Sequence, residues 1–123
     1  MKYIGSILIT IFLGICIAGC YYDDPDILDP NRATCDTTII TYSGSVNPIL
    51  TANCTGCHSG ANAPAGVKMD AHASVKLVAT SGKLMGSINH AAGYSPMPKN
   101  GTKLSECNIA KIRQWVAAGA PNN

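Results

Sequence analysis

Cys54-Thr55-Gly56-Cys57-His58 is the stretch on which the reading of this chain turns. Two thiols flank two small residues, and an imidazole follows directly. Such a pair can be a redox dithiol, but that use comes with a βαβ setting that the flanking sequence lacks. A zinc knuckle would need further ligands at matching spacing, and the other Cys and His residues are isolated. A disulfide between Cys54 and Cys57 would leave His58 without a role. The spacing suits attachment of a c-type haem. Each thiol adds to one vinyl group, and the two intervening residues let the thiols reach both vinyls. The adjacent histidine then falls under the iron as an axial ligand. Thr55 and Gly56 are small enough for the backbone to approach the porphyrin edge.

The sequence on either side reads as helix. Ser45 can cap a short helix that carries Pro48 in its first turn, where a missing N–H costs little. Val46, Ile49 and Leu50 then share a face, and the helix runs toward Cys54. Asp70 can cap a second helix through about Ala79, with Val75, Leu77 and Val78 partly inward. Lys83 to His90 forms a third, bounded by Gly82 and Gly93. The clearest helix is the last: Ser105 is its cap, Ile109, Ile112 and Val116 recur at helical spacing, and Gly119 and Pro121 stop it. Only Thr37 to Tyr42 alternates enough for a strand. The class is mainly α, with long loops over 59–69 and 91–103.

Further out, the first 19 residues read as an export address. Lys2 supplies a charge, and Ile4 to Ala18 is an apolar run of 15 residues, short for a membrane span of about 20. A charged start, a short apolar core and small residues at its end describe a secretory signal. Ile17-Ala18-Gly19-Cys20 resembles the bacterial lipoprotein box, in which the chain is cut before the cysteine and that cysteine is lipidated. Cys16 is the poorer candidate, because bulky Ile15 would occupy the cut site. An ordinary signal or an uncleaved anchor is the alternative. Residues 20–34 form a tether with four of the chain's seven acids and two prolines, a composition that keeps a linker extended.

The chain has 123 residues, 46% hydrophobic and 13% charged, which allows one small domain and not a two-domain enzyme. A net charge of +2 with no arginine cluster and no aromatic–basic interleaving argues against nucleic acid. From Arg32 onward the balance is +5, either a solvated surface or a weakly basic docking face. No Ser-His-Asp set, metal-hydrolase motif or phosphate loop is present. One Trp and five Tyr in the whole chain, only Tyr42 and Tyr94 of them in the domain, make a thin core. A covalently held porphyrin would add a large apolar surface to it.

A sixth ligand to iron can come from Met69, Met85, Met97, His72 or His90. Met97 lies in Ser95-Pro96-Met97-Pro98, where flanking prolines stiffen a loop and can hold a thioether in place. Met69 and Met85 fall beside or within helical patterns, where core packing explains them. His72 reads as a surface residue, and His90 could line the pocket. Met97 is therefore the expected ligand, and a thioether opposite histidine raises the reduction potential relative to two histidines.

Together these features resemble the small monohaem cytochromes c, in particular exported bacterial lipoproteins bearing one such domain. The resemblance covers residues 35–123. It rests on Pro48-Ile49-Leu50, Asn53-Cys54-x-x-Cys57-His58, Pro96-Met97-Pro98 and the final helix from Ile112 to Pro121. It implies about three helices around one covalent haem c, with His58 and Met97 on its iron, and the first and last helices crossing. It also implies that a backbone carbonyl accepts from the proximal imidazole, with Pro64 as the candidate here. The chain departs from the family in the low aromatic content between His58 and Met97. If those helices cross, Cys35 and Cys107 can approach, and thiols in an oxidising compartment tend to pair; two free thiols are the alternative. The expected function is electron transfer to redox partner proteins by a lipid-anchored, exported carrier that is not itself an enzyme. By resemblance to lipoprotein sorting signals, the outer membrane is its place. A peroxidase-like enzyme with an open iron site, or a haem sensor or docking subunit, is the alternative.

Overall fold

The computed structural model describes residues 35–123; the apolar run, Cys20 and the acidic tether lie outside the described residues. The described chain is mainly helical, with four α-helices and no strand: α1 (Asn47–Asn53), α2 (His72–Thr80), α3 (Lys83–Ile88) and α4 (Glu106–Ala117).

A π-helical turn, Tyr42–Val46, precedes α1 and moves the start of the helical segment upstream of Ser45. Thr41 is the cap, its Oγ1 accepting from the Gly44 N–H at 3.0 Å. Ser45 answers from inside the turn, its Oγ accepting from the Thr41 N–H at 3.4 Å. Two hydroxyls thus share one terminus, and the earlier one takes the cap. Val46, Ile49 and Leu50 keep their common face and are buried. The stretch 37–42 is not a strand. Asp36 bends the chain by accepting from both the Thr38 N–H and its hydroxyl, and Ile39 is left 81% exposed.

Asp70 does not cap α2, because its carboxylate accepts from the Gly60 N–H at 2.9 Å across the intervening loop. That bond holds the Asp70 carboxyl below its usual pKa. Along α2, Val75 and Ala79 are buried, Val78 is half-buried and Leu77 is 72% exposed. The reason is angular: at about 100° per residue, Leu77 points to the opposite side from Val75. α3 buries Leu84 and Ile88 and ends at Ile88 rather than His90.

α4 follows the sequence closely. Ser105 Oγ accepts from the Asn108 N–H at 3.2 Å, and Glu106 in the first turn suits the helix dipole. Ile109, Ile112 and Trp115 form its inner face, and Gly119 closes it at φ 86°. The following tail is sewn to the start of the domain. Trp115 Nε1–H donates to the Pro121 carbonyl at 2.8 Å. The Tyr42 N–H donates to Asn123 Oδ1 at 2.7 Å and the Ser43 N–H to the Asn123 carbonyl at 2.9 Å. His72 is half-buried rather than a free surface residue: its Nε2–H donates to the Ala120 carbonyl at 3.1 Å, and its ring stands edge-on to Tyr42 at 4.6 Å.

Leu50, Val75, Leu84, Ile88, Ile109 and Ile112, drawn from all four helices, meet in one core with Trp115. Cys35 and Cys107 stand at disulfide distance, Sγ to Sγ 2.08 Å and Cα to Cα 5.4 Å. The start of the described chain is thereby brought to the first turn of α4.

Candidate haem-binding site

The Cys54–His58 stretch coils over the C-terminus of α1. The Cys54 and Thr55 N–H groups donate to the Leu50 carbonyl at 2.8 and 3.1 Å. The Cys57 and His58 N–H groups then donate to the Cys54 carbonyl at 3.1 and 2.9 Å. Two carbonyls thus accept from four N–H groups, so the motif is a fixed turn that carries both thiols and the imidazole. Cys54 and Cys57 are both free thiols. Cys54 packs against the core, and burial pushes its thiol above its ordinary pKa. Cys57 faces solvent.

His58 is half-buried, and its Nδ1–H donates to the Val67 carbonyl at 3.0 Å. A carbonyl only accepts, so this bond fixes the proton on Nδ1 and leaves a lone pair on Nε2, as metal-ligating histidines require. The expected acceptor, Pro64, is otherwise engaged: its carbonyl accepts from the Val67 N–H at 3.1 Å and closes the 3₁₀ turn Pro64–Gly66. The loop also returns to His58 through its backbone, with the Met69 N–H donating to the His58 carbonyl at 2.7 Å. Val67 escaped the sequence reading because a backbone acceptor carries no side-chain signature.

Met97 is half-buried, lies outside the core cluster and precedes a cis peptide bond to Pro98. Both of its backbone groups are held. Its N–H donates to the Ser87 carbonyl at 3.1 Å, and its carbonyl accepts from His90 Nε2–H at 3.1 Å. The other candidate ligands have different engagements. Met69 is in the core, Met85 packs against it, His72 bonds Ala120, and His90 Nε2 is spent on Met97. The structure therefore gathers Cys54, Cys57 and His58 in one turn and fastens Met97 separately, on a loop tied to the end of α3.

Val67 also lines an open groove of about 360 Å³ between the 65–68 segment and α2. Leu77 and Val78 give the groove apolar wall, and Lys68 and Lys83 bring positive charge to it. Among the described residues no three His, Cys, Asp or Glu side chains converge on a single ion position. Two free thiols in a fixed turn with a tautomer-locked imidazole suit a flat group bonded at its edge and coordinated at its centre. None of Cys54, Cys57, His58 or Met97 lines the groove, whose walls mix Leu77 and Val78 with Ser74, Ser81 and the two lysines. Among the described residues no helix is long and apolar enough to cross a membrane. Comparison with known protein families, characterised proteins and solved structures returns no match.

Proposed function

We propose that this domain is an electron carrier with one covalently bound haem. Cys54 and Cys57 would hold it by thioether bonds, and His58 Nε2 and the Met97 sulfur would be the protein's donors to its iron. The observation that carries this reading is the bond from His58 Nδ1–H to the Val67 carbonyl, made in the same turn that presents two free thiols. The bound haem supplies a one-electron iron couple. The chain supplies the rest: Val67 orients the imidazole and makes it a better donor. Met97 favours the ferrous state and so raises the potential. The +5 charge from Arg32 onward offers a weakly basic face to a redox partner protein.

The carrier is exported and lipid-anchored through Cys20, facing the periplasm or the cell exterior. Support for this part comes from the signal-like run and the small residues before Cys20. The test is direct. Acid–organic extraction of the purified protein should leave haem on the chain, and the ferric spectrum should show the weak far-red band of thioether ligation. Haem passing freely into the organic phase defeats the proposal. Ready binding of carbon monoxide by the wild-type protein would put an open-site haem enzyme in its place.

A further inference from the structure

Three of the helices are followed, one residue past the C-cap, by a residue at positive φ: Gly82 after α2 (77°), Gly119 after α4 (86°) and His90 after α3 (56°). Glycine takes this conformation freely, whereas a β-carbon is disfavoured there. The terminus of α3 is otherwise the same device as that of α4. Ala91 N–H donates to the Gly86 carbonyl at 3.0 Å and His90 N–H to the Ser87 carbonyl at 3.2 Å. In α4, Ala120 N–H donates to Trp115 and Gly119 N–H to Val116, each at 3.0 Å. Ending the helix therefore does not call for a histidine. What the imidazole adds is its Nε2–H bond to the Met97 carbonyl, seven residues on. The Ser87 carbonyl, which already closes the helix end, accepts the Met97 N–H as well.

We propose that His90 is a positioning residue for Met97, tying the loop that delivers the thioether to the rigid end of α3. The inference rests on the reading of Met97 as an iron ligand. A single soft donor is held only as firmly as the backbone that presents it, and fixing both the N–H and the C=O of Met97 removes freedom before the sulfur is engaged. Without His90 the Ser87 bond is left alone, and the Met97 carbonyl is free to turn to water.

The test uses haem-loaded wild type, His90→Gly, His90→Gln and Met97→Ala, each read by the far-red ferric band, the carbon monoxide binding rate and thermal unfolding. His90→Gly suits the backbone at this position, so its unfolding midpoint should hold or rise. Its band should weaken, and its carbon monoxide binding should quicken roughly five- to tenfold, the equivalent of one hydrogen bond lost. His90→Gln keeps an N–H donor at similar reach and should restore both toward wild type. If His90→Gly keeps the wild-type band and rate while Met97→Ala loses the band, Met97 is a ligand and the role of His90 is refuted. If His90→Gly loses midpoint along with band and His90→Gln restores neither, His90 is structural and the proposal falls. If Met97→Ala keeps the band, the ligand assignment fails and the proposal falls with it.

Discussion

Met97 is held by its backbone, while its side chain is free of the core. If Met97 is an iron ligand, as proposed, substitution there should disturb the iron more than the fold. Met97→Ala in the haem-loaded protein should abolish the far-red band, admit carbon monoxide and lower the potential, with haem attachment intact because Cys54, Cys57 and His58 are untouched. A spectrum and potentiometric titration of the variant check this, and unchanged values would remove Met97 from the iron. Gly86 makes a second residue-scale case. A β-carbon built there would lie 2.5 Å from Cγ and Cδ1 of the Tyr94 ring. Alanine gains about 1 kcal/mol of helix propensity over glycine, but forcing the ring aside costs about 1–3 kcal/mol. Gly86→Ala should thus be neutral to destabilising, and in a Tyr94→Ala background it should become stabilising. Denaturant unfolding of the two single variants and the double variant reads the sign change.

At the scale of elements, α4 rests on local signals that all agree. Ser105→Ala removes the acceptor for the Asn108 N–H and should cost about 1 kcal/mol, measurable as a shift in denaturation midpoint at unchanged slope. Such agreement is why α4 was legible in the sequence from cap to stop. Elsewhere the same residue types misled. Asp70 looked like the cap of α2, yet it bonds Gly60 ten residues back, and sequence spacing does not reveal such a loop closure. Ser45 was read as the first cap, but Thr41 four residues earlier takes that place, and only geometry shows it. His72 read as exposed because its partners, Ala120 and Tyr42, are remote in sequence or aromatic by contact alone. The same division holds in the site. That Cys54, Cys57 and His58 share one turn was legible because they are adjacent in sequence. The Val67 and Met97 carbonyls that accept from His58 and His90 were not, because every residue has a carbonyl.

For the whole molecule, the two ends of the described chain converge on α4. Cys35 reaches Cys107 at its first turn, and residues 120–123 return from its last turn to Tyr42, Ser43 and His72. A bond between cysteines 72 residues apart should stabilise the fold by about 4 kcal/mol on the chain-entropy estimate. Mass analysis of unreduced peptides should show the two linked. Replacing both with serine should lower the unfolding free energy by up to that amount, and two alkylatable thiols in the native holoprotein would contradict the pairing.

Trp115 stands where these connections meet. It is the chain's only tryptophan, 1% exposed, with its indole N–H engaged by Pro121 and the Tyr42 ring 5.5 Å away. It is therefore a built-in lamp. In the haem-free folded chain its fluorescence should be blue-shifted, fed in part by Tyr42. A porphyrin anywhere in so small a domain drains that excited state, so on the proposed reading the haem-loaded protein should be dark. Brightness at constant concentration would then count the molecules that carry no haem. A shift of the emission to the red would report that the C-terminal stitching had come undone.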